Sequence, residues 1–262
     1  MQLVIDIGNS SLKAGIFLEN RVAAPPETEK RAIHRQKSES PLTTIRIKTD
    51  ESSAFRSFLS PYPLSRCLIS STSVIPGWLT EELESCNIDT HIMDGSTPLP
   101  IENLYSTPST LGTDRISSVI GAYYETGCKH AVLCIDSGTA LTYDIVNENG
   151  QYLGGNISPG LDMRFRSLHE FTSRLPLVSQ FGDKGDIGTS TETAIRNGVI
   201  NGITYEIKGY IRHFRKKYPE LSVFFTGGNA ENFADRTKNY IFADKNLVLK
   251  GLNIILNHLY NN

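Results

Sequence analysis

Long apolar runs are missing from this chain. None approaches the about 18 residues that a membrane-spanning helix requires, so no membrane partner is expected. Excess positive charge is missing as well: 26 Lys and Arg face 28 Asp and Glu, a net charge of −2, which leaves no basic field for nucleic acid. The basic run RHFRKKYP (212–219) reads as the solvated face of a helix. Cysteine is sparse, and Cys67, Cys86, Cys128 and Cys134 show neither a C-x-x-C nor a Cys/His metal spacing. Three of them lie in or beside apolar stretches, so buried reduced thiols and a cytoplasmic location are expected. Met1 leads directly into a strand with no basic n-region, unlike a secretory signal. Low-complexity tracts are absent, and no His–Ser–Asp arrangement is legible; His34, His91 and His169 read as surface or helix-end residues. What is present is ordinary: 262 residues, 39% hydrophobic and 21% charged, enough for two domains of about 100–150 residues.

Periodicity orders the chain. Alternating or continuous apolar runs predict strands at 2–7, 12–18, 43–48 and 66–71, with an edge strand at 89–94. Helical spacing falls at 54–59 and after Pro76. Residues 22–42 are polar and irregular, with no function assigned, and 96–112, rich in Pro, Ser and Thr, predict a loop between halves. A helix follows near 113–127, then strands at 130–136, 140–146, 152–158 and 222–228. Helices are expected near 160–172, 191–217 (carrying Gly198, Gly202 and Gly209) and 247–260.

Two of these strands nearly repeat one another. LVIDIGNSSL (3–12) and VLCIDSGTAL (132–141) each end an apolar run in Asp, Asp6 and Asp136, half a chain apart, and then turn on Gly and small hydroxyl residues. An internal duplication explains the echo, and duplicated halves make a cleft where they face each other. In DIGNSSLK, Gly8 permits close backbone approach. Backbone N–H groups and the hydroxyls of Ser10 and Ser11 can cradle a phosphate, with Lys13 as a point charge. DSGTAL offers Ser137, Gly138 and Thr139 in the same way. Two carboxylates beside a polyphosphate call for a cation, and Mg²⁺ held by a carboxylate such as Asp6 together with phosphates resolves the repulsion. FFTGGN (224–229) adds a glycine turn suited to the flat face of a base.

Taken together, these motifs resemble the actin, Hsp70 and sugar kinase superfamily, and within it the type III pantothenate kinases. DIGNSSLKAG resembles that family's first phosphate motif, and NLYSTPSTLGTDR (103–115) its substrate motif. DSGTALTYD, GGNISPGL and STETAIRNG match in order. The resemblance implies an α/β fold of two duplicated ribonuclease H-like domains (the actin-like ATPase fold), 1–112 and 113–262, with a cleft between them. It implies transfer of the ATP γ-phosphoryl to the primary hydroxyl of pantothenate, the first step of coenzyme A synthesis. ATP contacts would come from Asp6, Ile7, Gly8, Asn9, Ser10, Ser11, Leu12 and Lys13, and from Thr139. Pantothenate contacts would come from Tyr105, Gly112, Thr113, Asp114, Arg115 and Thr191. Asp114 would be the catalytic residue, Asp136 a ligand of a monovalent cation (K⁺ or NH₄⁺), and the working form a homodimer whose acceptor site both chains complete. Ser10 stands where the family motif commonly has threonine; the hydroxyl is kept.

The residues alone say less about these positions. An Asp with an ordinary value near 3.9 is a poor base for a hydroxyl, so Asp114 would act by positioning and late proton transfer. Its bland reading is an acid in the first turn of a helix. Thr191 reads equally as an N-cap, and Glu192 and Glu206 as ordinary helix acids. A kinase of another small molecule and a non-catalytic nucleotide-binding regulator remain as alternatives. The constellation of Tyr105, Asp114 and Arg115 argues against the first, and the presence of Asp6, Asp114 and Asp136 against the second.

Overall fold

A computed structural model describes residues 1–9, 11–19, 39–237 and 241–261. Ser10, His34 and most of the irregular stretch 22–42 lie outside the described residues. Two compact units divide the chain: Met1–His130, Val146–Gly154 and Asn246–Asn262 form one, and Ala131–Ile145 and Gly155–Lys245 the other.

The first unit is built on β1 (Gln2–Ile7), buried along almost its whole length. β1 runs antiparallel to β2 (Leu12–Phe17), which continues antiparallel to β3 (Thr43–Ile47). On its other side it runs parallel to β4 (Arg66–Ser71), and β4 runs parallel to β5 (Asp89–Ile92), giving the order β3-β2-β1-β4-β5. A run such as LVIDI is apolar on both faces because both faces of a central strand are covered. Helices α1 (Ser52–Leu59) and α2 (Gly77–Ser85) turn Phe55, Leu59, Leu79 and Leu83 onto one face. The ring of Trp78 meets Phe55 edge-on at 5.5 Å.

α3 (Thr113–Glu125) packs on α7 (Leu247–Asn261). Gly121 and Gly251 sit at the crossing with backbone against backbone, and a Cβ on Gly251 would collide with the Ser117 carbonyl. α7 also lies against β1, where Gln2 Nε2 donates to Asn253 Oδ1 at 2.5 Å and Asn257 Oδ1 at 2.9 Å. Lys250 pairs with Glu125. The last helix of the chain therefore belongs to the unit that begins it. The predicted loop 96–112 contains more structure than its composition suggests. A two-residue strand, β6 (Glu102–Asn103), pairs in parallel with Gln151 and Tyr152, and Pro108–Thr110 form a 3-10 turn.

The second sheet is built from β7 (Val132–Ser137), β8 (Ala140–Val146), β9 (Gln151–Pro159), β10 (Ser222–Thr226) and β11 (Ile241–Ala243). Its order is β9-β8-β7-β10-β11, with β6 added along β9. Numbered within each half, both sheets read 3-2-1-4-5, the ribonuclease H-like order, so the repeat legible around Asp6 and Asp136 is a repeat of topology. α4 (Leu161–Glu170), α5 (Thr191–Lys217) and α6 (Ala230–Thr237) complete the set; α6 and β11 have no counterpart among the expected elements. Tyr143, Phe225, Phe233, Ile203 and Ile207 lie at the centre of this core. No disulfide joins the four cysteines: Cys67 and Cys134 are buried, Cys128 is only half-buried and Cys86 is exposed. Burial is thus complete for two of the four thiols; Cys128 sits in the turn after α3 at φ +57°.

Candidate active site

The first hairpin closes with Gly8 N–H donating to Ser11 O at 3.1 Å. Ile7 and Leu12 pair across it and are fully buried, so only their backbone is left to offer a ligand. A Cβ at Gly8 would find only the Ser11 carbonyl, at 3.8 Å, so nothing in the chain itself demands glycine there. Open backbone of this kind is what close approach of a phosphate needs. Strand register then aligns one row of the sheet: Arg46 beside Lys13, Lys13 beside Asp6, Asp6 beside Ser70. Neighbours in a row point to the same face, and Arg46 Nε also donates to Ser11 Oγ at 3.0 Å. Two cations and a hydroxyl thus border the hairpin. Arg46 was not among the expected site residues, because only strand pairing brings it beside Lys13.

Ser70 is fully buried; its hydroxyl donates to Asp6 Oδ1 at 3.2 Å and lies 2.9 Å from Thr113 Oγ1. The central strand is thereby tied to the start of α3. Gly112 is the N-cap of that helix and offers no side chain to cap it. Asp114 Oδ1 accepts from Arg115 N–H at 2.8 Å. Burial first, and then the charge of Asp114, push the Asp6 carboxyl up to about 7, against the opposing pull of Ser70, Lys13 and Arg46. Two carboxylates that disfavour each other's ionisation beside a phosphate cradle fit a divalent cation, with Asp6 the residue to hold it.

Arg115 is 7% exposed; its Nη2 donates to Tyr152 OH at 3.4 Å and its guanidinium lies 5.9 Å from the Tyr105 ring centre. Asp6, the first hairpin, Tyr105 and Gly112–Arg115 are all carried by the first unit.

In the second unit the hairpin is one residue shorter, Gly138 N–H donating to Ala140 O at 3.0 Å. Thr139 is exposed at its tip. Gly160 N–H donates to the Thr139 carbonyl at 3.2 Å, with no room for a Cβ at Gly160. Arg164 braces that turn by donating to Pro159 O at 2.8 Å and Ser158 Oγ at 2.8 Å. It also pairs with Glu206 at 2.5 Å, and Glu206 accepts from Tyr143 OH at 3.0 Å. Glu206 is therefore more than an ordinary helix acid. Asp136 lies in register with Thr226, and its Oδ1 sits so close over Gly227 (φ +90°) that a Cβ there is excluded. The FFTGGN turn and the Asp136 turn are thus packed together, with Asn229 N–H donating to Ser137 O at 3.1 Å. Among the described residues no cluster of three or more His, Cys, Asp or Glu could hold a metal ion. A cation at Asp136 would therefore draw its other ligands from groups outside these residue types.

Thr191 is exposed at the first position of α5. Its bland reading as N-cap is corrected: Ser190 is the cap, its side chain accepting from Thr193 N–H while the Thr193 hydroxyl accepts from Ser190 N–H at 2.9 Å. The Thr191 hydroxyl is spared that role.

A doubled 3-2-1-4-5 sheet whose equivalent hairpins carry Asp and Gly defines the actin-like ATPase fold, and a solved ROK family glucokinase from Streptomyces griseus, in complex with glucose and AMPPNP, shares it. That structure aligns over 100% of this chain and 99% of its own, with a TM-score of 0.52 and 10% identity. A Campylobacter jejuni structure assigned by name to the Baf family of transcriptional activators aligns over 99% of this chain and 100% of its own, with a TM-score of 0.59 and 21% identity. A sequence relative from Phocaeicola vulgatus, a type III pantothenate kinase, is 42% identical over 259 residues, 98% of either chain. The model of that family matches residues 2–213. The chain belongs to the type III pantothenate kinase family.

Proposed function

We propose that this protein phosphorylates pantothenate, moving the γ-phosphoryl of ATP to the primary 4'-hydroxyl to give 4'-phosphopantothenate. The observation that carries the reading is the junction of Asp6, Ser70 and Thr113. It sets a phosphate hairpin flanked by two cations beside the helix start that bears Asp114 and Arg115. In this assignment Gly8, Asn9, Ser10, Ser11 and Lys13 cradle ATP phosphates, and Thr139 of the second hairpin adds a further contact to them. Asp114 orients the acceptor hydroxyl and takes its proton late, when the bond to phosphorus is largely made. Tyr105 and Arg115 hold the body of pantothenate, and Arg115 and Thr191 suit its carboxylate and amide oxygens. Asp6 would hold Mg²⁺ together with the phosphates, and the ion would neutralise phosphate charge; Asp136 would hold a monovalent cation.

The working form in this reading is a cytoplasmic homodimer with no nucleic-acid or membrane partner. Phe171, Phe181 and Ile187 stand 85%, 74% and 83% exposed in the second unit. On α5, Gly198, Gly202 and Gly209 line a face with open space around each. Apolar surface of this kind fits a second copy. No described helix is long and apolar enough to cross a membrane.

The test is ADP release by the purified protein with ATP and Mg²⁺, with and without pantothenate, in K⁺ and in Na⁺ buffer. Pantothenate-dependent release that is greater in K⁺ is expected, and release indifferent to pantothenate refutes the assignment.

A further inference from the structure

We infer that Tyr152 and Gly154 on β9 are positioning residues for the acceptor side of the site, seating Tyr105 and Arg115 so that the substrate meets them in one fixed arrangement. The inference rests on the pantothenate kinase reading and deepens it.

The seat is assembled by backbone first. β6 lies parallel to the start of β9, with Glu102 N–H donating to Gly150 O and Leu104 N–H to Tyr152 O, each at 3.0 Å. Immediately afterwards Tyr105 N–H donates to Asn103 Oδ1 at 3.0 Å, turning the chain so that its ring comes back over β9. There the ring meets two residues of one strand. Its centre is 6.0 Å from that of Tyr152, the planes tilted by 38°. Its edge also covers Gly154, where an added Cβ would fall 3.3 Å from Tyr105 Cδ2. Gly154 has φ +106°, a conformation that side-chain-bearing residues rarely adopt, so both space and backbone ask for glycine.

Tyr152 contributes more than a ring. It is fully buried, and a buried phenol hydroxyl needs a partner. Arg115 Nη2 donates to that hydroxyl at 3.4 Å while the guanidinium lies over Tyr105. A phenol at this point fixes the plane of a guanidinium fork that must meet an oxygen ligand edge-on. Phenylalanine would keep the packing and remove this contact to the fork.

Tyr152→Phe tests this, with pantothenate affinity by calorimetry, KM for both substrates and the thermal midpoint measured beside the wild type. The expected result is a rise of about five- to tenfold in the pantothenate KM and dissociation constant, with ATP KM and melting unchanged. Gly154→Ala should raise the same two constants, and do so less when Tyr105 is already Ala. Unchanged pantothenate affinity in Tyr152→Phe overturns the inference. Equal loss for both substrates, or a fall in stability that accounts for the effect, assigns the hydroxyl to the core and overturns it too. A wild-type protein that neither binds nor phosphorylates pantothenate removes the functional reading itself, and the inference with it.

Discussion

Replacing Asp6 with Asn should stabilise the ligand-free protein at pH 8 and leave it unchanged near pH 4. A carboxyl lifted on folding from its ordinary 3.8 to about 7 opposes its own ionisation by up to about 4 kcal/mol, at about 1.4 kcal/mol per pH unit. The unfolded chain gives up this proton above about pH 4, but the folded chain holds it to about 7. The folded state therefore binds more protons in between, and stability falls as pH rises through that window. Above it the whole penalty stands. Asp6 is partly exposed, so solvent screening reduces the realised figure to about 1–2 kcal/mol, or roughly 2–4 °C in melting temperature for a chain of this size. The amide keeps an oxygen to accept from Ser70, so little else is lost. Thermal melts of both proteins at pH 4, 6 and 8 without ligand read the effect, and the difference should grow with pH. A difference that is the same at every pH, or a less stable variant at pH 8, would refute the idea that Asp6 is held uncomfortably beside Asp114. In the proposed reading the same variant should also lose stabilisation by ATP with Mg²⁺, because Asp6 would hold the cation.

Asp114→Asn should lower turnover by about 10²–10⁴-fold while the KM for ATP stays within about threefold. Turnover near that of the wild type would remove Asp114 from the chemistry. Gly251→Ala should cost about 2 kcal/mol net, because overpacking at the α3–α7 crossing outweighs the gain in helix propensity. Gly77→Ala, with open space around it, should be neutral or stabilising by up to about 1 kcal/mol. Denaturant melts of the two alanine variants compare them directly, and similar midpoints would show that the helices have room to separate.

Local pattern determined most of the elements. LVIDI and VLCID are apolar on both faces and could form only buried strands, and α5 and α7 carry helical spacing over several turns. The paired Asp-Gly hairpins and the Gly112–Arg115 helix start were legible for the same reason, since turn chemistry is local. Pairing decided the rest. β6 is two residues long and exists only because β9 offers it hydrogen bonds. Arg46 and Ser70 enter the site by strand register, a relation between residues that are distant in sequence. Tyr152 reads as a core aromatic in any single sequence, and only the folded chain sets its hydroxyl against Arg115. Ser190 displaced Thr191 as cap through a reciprocal bond with Thr193 that no composition rule distinguishes from its neighbour. The Asp, Gly and hydroxyl pattern of the two hairpins was thus written in the order of amino acids. Which residues lie beside them was decided by register and helix packing, because free energy of assembly is shared across contacts that the chain makes only once folded.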